Sequence, residues 1–321
     1  MGEVFAAGSV SLRLYPHNEL RAAGVVDELC AQALLGIDSG FDGAMLSEHH
    51  GGFAGYLPNP LQMTTVLLET CAHGWVAPCP LLLSLRPTAM VAEEIAWLSA
   101  RHPGRVGLGV AIGALRADFD AMGVPFGDAV PRFTEELPRL VAMLRGEDLR
   151  ELANDPALVE CAAAPVPVLS AAVSSAAARR AAASGAGLVL EGMSTAERLA
   201  AVCRAHRDAG GTQPIVLIRR VRLGSARTDL VEQQRAVYAS YSTGEHVSGD
   251  DQTVATADPD EMARVLMAAL RDTGATALNL RVHLPGFTPA DVREQIMALG
   301  EQVLPRLRAL QSGALQSGGV A

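Results

Sequence analysis

The sequence predicts an α/β protein that forms a single (β/α)₈ barrel. Strand-like and helix-like segments alternate along the chain, which is typical of a parallel sheet with helical crossovers. The chain has 321 residues, of which 49% are hydrophobic, so it can bury one large core. Ionisable residues follow the second predicted strand, and so lie at the carboxyl end of the barrel, where such barrels have their active sites.

Eight short apolar segments, bounded by Gly, Pro or polar residues, are typical of strands. They are Val10–Leu14, Gly43–Leu46, Trp75–Leu83, Val106–Ala111, Pro167–Ala172, Gly187–Glu191, Pro214–Leu223 and Ala277–Val282. An amphipathic segment with the spacing of a helix follows each of them. These segments are Leu20–Gly36, Pro60–His73, Pro87–Arg101, Pro131–Arg145, Ser174–Ser184, Thr195–Ala209, Asp258–Arg271 and Pro289–Ala309. Eight such pairs define the barrel.

Local signals support the helix boundaries. Pro60 and Pro87 stand at expected first helical positions, and Gly185 and Gly274 stand just past expected helix ends. We expect one domain over residues 1–310 and a disordered Ser/Gly-rich tail over residues 311–321.

An additional helical segment, Thr228–Ser242, precedes a polar loop, Thr243–Thr256, between the seventh and eighth strands. A loop at this place would lie over the carboxyl end of the barrel. It is expected to be either a lid over the site or an ordinary surface insertion.

Charge and cysteine content exclude several classes of partner. The net charge is −9, without a run of basic residues, so we expect neither nucleic acid nor a membrane surface as a partner. The amino terminus has no secretory signal, and no apolar stretch is long enough to span a bilayer. Five scattered cysteines without a C-x-x-C pair are typical of a reduced compartment. A cytoplasmic location is expected.

Ser47-Glu48-His49-His50 closes the second predicted strand and opens a glycine-rich loop. Its spacing matches neither H-x-H nor H-E-x-x-H, so no metal is expected. A histidine at this place can take or give a proton near neutral pH, which makes His49 and His50 candidate catalytic residues. The alternative is that both only satisfy local backbone hydrogen bonds.

Two further motifs are candidate ligand-binding sites. Ser174 and Ser175 lie between a predicted strand and the next helix, where hydroxyls and unpaired N–H groups can bind an anion. The alternative is that Ser174 is an ordinary helix N-cap. The run Gly107–Gly113 fails the G-x-G-x-x-G spacing of a dinucleotide site, and its small residues favour close approach of a flat ligand or a neighbouring strand.

Taken in order, these motifs resemble the bacterial luciferase-like flavin-dependent monooxygenase family over nearly the whole chain. The motifs that carry the resemblance are Phe41–His50, Pro58-Asn59-Pro60, Leu85–Ser99, His102–Val110 and Pro165–Ser175. The resemblance implies a TIM barrel, an oxidoreductase that uses reduced FMN or, in a related branch, coenzyme F420, and a homodimer.

The resemblance also implies roles for particular residues. His49 would manage protons at the flavin with support from His50, and Ser174 and Ser175 would receive the phosphate. The implied contacts with the flavin ring are Pro78, Cys79 and Ala111, and the implied substrate contacts are Phe53 and Tyr56. The implied reaction is monooxygenation of a small organic substrate by O₂, with reduced flavin supplied by a separate reductase.

Three departures from the family pattern predict weak FMN binding. Ile112 stands where the luciferases have a phosphate-binding Arg, Val173 replaces an acidic residue, and Pro80 directly follows the Pro78-Cys79 pair matched to the family's cis-peptide bulge. Two alternatives to a monooxygenase therefore stay open. One is an F420- or FMN-dependent hydride-transfer oxidoreductase, and the other is a flavin-free homologue that acts as a binding or stabilising subunit.

Overall fold

The computed structural model describes residues 2–53, 55–239 and 253–317. Ten strands are present in these ranges, and all of their pairings are parallel. They are β1 (Val10–Arg13), β2 (Gly43–Leu46), β3 (Trp75–Pro78), β4 (Leu81–Leu82), β5 (Leu108–Ala111), β6 (Val168–Ala171), β7 (Gly187–Leu190), β8 (Ile215–Leu223), β9 (Val254–Thr256) and β10 (Ala277–Arg281).

The strands form a nearly closed barrel in the order β3-β2-β1-β10-β8-β7-β6-β5-β4. A parallel bridge between Val76 of β3 and Val106, just before β5, connects the two ends of the sheet. Strand β9 pairs only with β8 and extends that edge. The predicted single (β/α)₈ barrel is confirmed.

The third predicted strand, Trp75–Leu83, is divided into β3 and β4. Pro78 and Pro80 flank the break, and proline has no backbone N–H to continue a ladder. The cis peptide bond of this segment joins Cys79 and Pro80, one residue after the Pro78-Cys79 pair that the sequence matched to the family's bulge. Strand β4 resumes pairing with β5, where Leu81 is the partner of Val110.

Helices alternate with the strands and cover the outside of the barrel. They are α1 (Ala22–Asp38), α2 (Pro60–Thr70), α3 (Thr88–Arg101), α4 (Arg116–Met122), α5 (Ala129–Met143), α6 (Pro156–Glu160), α7 (Ser175–Ala183), α8 (Ala196–Asp208), α9 (Thr228–Ala239), α10 (Pro259–Thr273), α11 (Pro289–Ala298) and α12 (Leu304–Ser317). Helix α2 begins as predicted, with Pro60 at its first position and the Asn59 side chain accepting from the Gln62 amide. Helix α10 ends at Gly274, whose φ is +77°.

Helix α4 and strand β9 were not predicted from the sequence. The predicted helix Pro289–Ala309 is interrupted by a π turn over Leu299–Val303. Helix α12 includes residues 311–317 of the segment for which disorder is expected, and residues 318–321 lie outside the described residues. Most of the loop Thr243–Thr256, proposed as a lid, also lies outside them. In the described part of the chain, no helix is long and apolar enough to cross a membrane.

Two apolar layers follow from the alternation of side chains along each strand. One layer lies between the sheet and the helices, and the other fills the barrel interior. The interior is closed at the amino end of the strands by the ring pair Phe5 and Trp75, whose centroids are 5.0 Å apart. The carboxyl end is therefore the open end, and the candidate site residues lie there.

Candidate active site at the carboxyl end of the barrel

The Ser47-Glu48-His49-His50 turn is tied to its neighbours through the backbone. The amide of Glu48 donates to the carbonyl of Pro80 at 3.1 Å, and the amide of His49 donates to the carbonyl of Leu57 at 3.0 Å. Both bonds are made where strands have ended, so they fix the turn beside the break in the third strand. The side chains of His49 and His50 take no part in these backbone bonds and make other contacts.

The carboxylate of Glu48 is buried and has three partners. Its Oε2 accepts from the backbone amide of Leu82 at 2.6 Å. Its Oε1 lies 2.6 Å from Nη2 of Arg86 and 3.0 Å from Nε2 of His50. Glu48 therefore connects the turn to β4 and orients the His50 ring, which is only 8% exposed. The His50 side chain is therefore largely buried and held by Glu48.

His49 forms a pair with Asp118, a residue of helix α4 that the sequence analysis did not identify. Nδ1 of His49 lies 2.7 Å from Oδ2 of Asp118, and the carboxylate side chain is 1% exposed. The other oxygen, Oδ1, accepts from the His50 amide at 2.8 Å. Because a carboxylate only accepts, Nδ1 carries the proton and Nε2 of neutral His49 is the basic atom.

Aromatic rings surround His49 on one side. Its ring centroid lies 4.5 Å from that of Tyr56 and 4.9 Å from that of Phe53. Tyr15, which follows β1, contacts Tyr56 in turn at 5.3 Å, with the ring planes nearly perpendicular. Phe53 and Tyr56, predicted as substrate contacts, therefore lie directly against His49, and Tyr15 is an additional member of this aromatic wall.

In the described residues, the barrel interior is partly accessible to solvent near the carboxyl ends of β5, β6 and β8. Interior-facing Ala111 of β5, Ala171 of β6 and Ile218 of β8 are half-buried, although all three belong to strands at the centre of the fold. Solvent therefore reaches the interior from the carboxyl end between β5 and β8. We call this space the mouth hollow, defined by Ala111, Ala171 and Ile218.

Pro78 and Cys79, predicted to contact the cofactor, are both buried, and Cys79 packs in the barrel interior. Cys79 is 0% exposed, and burial raises the pKa of its thiol to about 11. A Cβ atom at Gly109 would lie 2.1 Å from its sulfur, so Gly109 leaves the space that Cys79 occupies. Ala111 is the predicted ring contact that borders the mouth hollow.

Ser174 caps helix α7, as the alternative interpretation of the sequence holds. Its Oγ accepts from the amide of Ala177 at 3.3 Å. Ser174 is exposed and Ser175 is half-buried. Nη2 of Arg198, from the first turn of α8, donates to the carbonyl of Val173 at 3.3 Å. An arginine from the following βα unit therefore lies beside this turn, although its position in the sequence gave no reason to place it there.

Buried polar residues line the interior below the aromatic wall, and the sequence analysis did not identify them. Nε of Arg13 donates to Oδ1 of Asn279 at 2.7 Å. Nη1 of Arg13 donates to the Ser47 hydroxyl and, at 3.1 Å, to the Cys79 carbonyl. Arg13 thereby connects β1, β10, the end of β2 and the break in the third strand. An alternation of polar residues along β1 and β10 is the signal that could have indicated a polar interior.

His283 lies at the end of β10 among charged and aromatic groups. Its ring stacks on Tyr15 at 5.5 Å and meets the edge of His17 at 4.9 Å. Burial, followed by the charges of Arg281 and His17, lowers the pKa of His283 to about 3. His283 is therefore neutral in the folded protein at ordinary pH.

Residues 2–53, 55–239 and 253–317 contain no group of three or more His, Cys, Asp or Glu side chains that could hold a metal ion. The same ranges contain five free thiols. Burial raises the pKa of Cys203 to about 11, as it does for Cys79, so neither thiol is an activated nucleophile.

Solved structures with the same fold include two monooxygenases and an F420-dependent dehydrogenase. A monooxygenase, RslO1 from Streptomyces bottropensis, superposes with a TM-score of 0.74 and 20% identity over 92% of this chain and 99% of that chain. The oxygenating constituent of 3,6-diketocamphane monooxygenase from Pseudomonas putida, in complex with FMN, has a TM-score of 0.73 and 17% identity over 94% and 99%. An F420-dependent secondary alcohol dehydrogenase, in complex with an F420-acetone adduct, has a TM-score of 0.70 and 16% identity over 94% and 99%.

Two sequence comparisons complete this picture. An uncharacterized protein, y4vJ of Sinorhizobium fredii, is 33% identical over 127 residues, which are 39% of this chain and 35% of that protein. This match spans about a third of the curated relative's length. The model of the luciferase-like monooxygenase family matches residues 9–305. The predicted family and enzyme class are confirmed, and the chain belongs to the luciferase-like monooxygenase family.

Proposed function

We propose that this protein is a flavin-dependent monooxygenase that uses reduced FMN and O₂ to oxygenate a small organic substrate. The observation that carries the proposal is the His49–Asp118 pair at the carboxyl end of the barrel, beside an aromatic wall and the mouth hollow. When bound, reduced FMN supplies the two electrons and two protons with which one oxygen atom of O₂ leaves as water while the other enters the substrate.

The residues around the mouth hollow fit a flavin. Ala111 and Ala171 are small, half-buried and on neighbouring strands, so a flat ring can approach the backbone of both. Ser174 and Ser175 provide hydroxyls and backbone N–H groups at the start of α7, and such a terminus favours a phosphate. Arg198 adds positive charge beside this turn. The ring would therefore lie in the hollow with its phosphate at Ser174 and Ser175.

His49 would move protons through Nε2. Its Nδ1 stays protonated against Asp118 and is held at 2.7 Å, so the ring keeps one orientation and one tautomer. Phe53 and Tyr56 pack on the same ring and would exclude water from the reacting oxygen, which protects reactive intermediates from hydrolysis. They would also contact the apolar part of the substrate.

A weakly held flavin is part of the proposal. Ile112 and Val173 provide no charge for the phosphate, and the loss of one charge-assisted contact costs about 1.5–3 kcal/mol. We therefore propose that a separate flavin reductase supplies reduced FMN and that the oxygenase holds it during turnover. Homodimerisation and a cytoplasmic location accompany this proposal as expectations from the family resemblance and from the scattered thiols.

A hydride-transfer oxidoreductase is the second candidate. This candidate is favoured by the similarity to an F420-dependent secondary alcohol dehydrogenase over 94% of this chain. In that protein the same fold carries out a dehydrogenation rather than an oxygenation. The two candidates differ in oxygen consumption, because only the monooxygenase consumes one O₂ for each substrate oxidised.

Rapid mixing tests the proposed function. Protein saturated with photoreduced FMN is mixed with oxygenated buffer, and the absorbance of oxidised flavin is followed. We expect this absorbance to return more slowly than with free reduced FMN, and the delay to shorten in His49→Ala. His73→Ala is the matched control, because His73 is exposed and precedes β3 at the opposite end of the barrel. Reoxidation at the rate of free flavin, with no effect of His49→Ala, would contradict the proposal.

A further inference from the structure

Three arginines lie at one level of the barrel interior, on three adjacent strands. In the strand register Arg13 of β1 is the partner of Arg281 of β10, and Arg281 is the partner of Arg220 of β8. Their exposures are 2%, 6% and 8%. All three occupy interior-facing positions, because the alternate residues of these strands pack against the outer helices. We call these residues the arginine tier.

Arg13 is a residue of this tier whose buried charge and N–H groups are not fully compensated in the described residues. Its partners in the described residues are an amide oxygen, a hydroxyl and a carbonyl, all of them neutral. Its Nη2 is buried and has no hydrogen-bond partner there. A buried guanidinium without a counter-ion is costly, and a buried N–H without an acceptor adds to that cost. An anionic ligand would relieve both.

Glu48 and Asp118, the buried carboxylates of the candidate site, are engaged with other groups. Glu48 is bonded to Arg86, to His50 and to the Leu82 amide. Asp118 is bonded to His49 and to the His50 amide. Neither carboxylate makes a hydrogen bond or ion pair to Arg13 in the described residues, so the positive charge of Arg13 is not neutralised by them.

Tyr15 connects the arginine tier to the aromatic wall. The guanidinium carbon of Arg281 lies 4.1 Å from the centroid of the Tyr15 ring, and Tyr15 meets Tyr56 beside His49. An apolar surface and a cationic surface therefore meet at one residue. A molecule with an apolar body next to His49 would have its far end directed towards the tier.

We infer that the arginine tier receives a carboxylate or sulfonate group, so that the substrate of the proposed reaction is an organic acid with an apolar body. This inference rests on the proposed function only in treating the bound acid as the substrate of that reaction. Binding of the acid itself needs no flavin. A carboxylate has two oxygens in a plane and a sulfonate has three in a tripod. In both groups, two oxygens can accept from two N–H groups of one guanidinium. A neutral ketone or aldehyde would leave the buried Nη2 of Arg13 without an anionic partner in the described residues.

Acids and their neutral isosteres distinguish this inference from a purely structural role of the arginines. Flavin-free protein is titrated calorimetrically with phenylacetate and phenylacetamide, and with cyclohexaneacetate and its amide. We expect each acid to bind about 10- to 100-fold more tightly than its amide, as charge-assisted hydrogen bonds predict. Benzenesulfonate should compete with the carboxylates. Equal binding of acid and amide, or no binding of any of these probes, would overturn the inference.

Substitutions test whether the preference for acids over amides arises from the arginine tier. We expect Arg281→Lys and Arg13→Gln to lower the ratio of acid to amide affinity at least tenfold. Arg219→Gln is the matched control, because Arg219 is 1% exposed on the same strand as Arg220 but shares the face of Leu217 and Val221, which pack in the outer layer. Circular dichroism checks the fold of each variant, and the comparison in the unsubstituted protein decides the matter even if Arg13→Gln fails to fold. An unchanged ratio in Arg281→Lys would contradict the placement.

A separate titration with reduced FMN keeps the two proposals apart. Flavin binding without a preference for acids would refute only the inference about the substrate. A preference for acids without flavin binding would refute only the proposed oxygenation.

Discussion

Asp118 of helix α4 lies 2.7 Å from Nδ1 of His49, 69 residues earlier in the chain. The same carboxylate accepts from the backbone amide of His50, so one buried side chain fixes both the ring of His49 and the backbone that carries it. The pair therefore fixes the orientation of the His49 ring and the tautomer of its neutral form.

Asp118→Asn tests the pair. An amide at this position can still accept from the His50 amide, but it no longer fixes the protonated nitrogen of His49. We expect substrate-dependent O₂ consumption to fall about 10²–10⁴-fold, the range associated with a misplaced or wrongly protonated base. Reduced FMN binding, measured by fluorescence titration, should change little. Unchanged O₂ consumption would show that Asp118 has only a structural role.

Glu48→Gln tests the buried carboxylate that joins the turn to β4. The substitution keeps an acceptor for the Leu82 amide but removes the charge that Arg86 and His50 face. We expect the free energy of unfolding in urea to fall by about 3 kcal/mol, since breaking a buried pair leaves an uncompensated charge.

Glu69→Gln is the matched control for Glu48→Gln. Glu69 is 51% exposed and pairs with Arg101, which is 71% exposed, and with Nε2 of His102 at 3.2 Å. Pairs made by an exposed carboxylate contribute about 0–1 kcal/mol. Equal losses of stability in the two variants would contradict the assignment of a special role to Glu48.

Gly109→Ala tests the packing of the interior. The new Cβ would lie 2.1 Å from the sulfur of Cys79, and overpacking of this kind costs about 1–3 kcal/mol or more. Combining it with Cys79→Ala should recover part of the loss. Gly127→Ala is the control, because nothing lies within 4 Å of a Cβ at that position. Urea denaturation of all four proteins measures the differences, and a neutral Gly109→Ala would contradict the described packing.

His283 predicts a pH dependence of stability. Its pKa in the folded protein is lowered to about 3, below the value of about 6.5 in an unfolded chain. Between these values the unfolded state binds the proton and the folded state does not, so stability falls as pH falls from about 6.5.

The slope from this one group is about 1.4 kcal/mol per pH unit. We expect His283→Gln to show a shallower loss of stability between about pH 6.5 and 5 than the unsubstituted protein. His73→Gln, at an exposed position, should leave the profile unchanged. Parallel profiles for His283→Gln and the unsubstituted protein would refute the prediction.

The eight barrel strands and their helices were predictable, because each carries a local signal. Strand β2 is a short apolar run followed by polar residues, and α2 begins with Pro60 after an Asn cap. The division of the third strand was not predicted, although Pro78 and Pro80 supply its physical cause. Strand β9 was missed because its three residues, Val254–Thr256, are half-buried and pair only with the extended end of β8.

The candidate site was only partly predictable. His49 and His50 could be proposed from the sequence because they directly follow a strand. Asp118 was missed because its helix has seven residues and its partner is distant in sequence. Polar residues alternate along β1 and β10, but the strand order and register that bring the three arginines to one level are not visible in the sequence. Ser174 was found, but its capping bond to Ala177 became visible only in three dimensions.

The most direct test of the central claim is a crystal structure of the protein grown with FMN. We predict that the ring lies in the mouth hollow against Ala111 and Ala171, with His49 within van der Waals contact and the phosphate at Ser174 and Ser175. A structure at saturating FMN in which the flavin is absent, or in which its ring lies away from His49, would contradict the account.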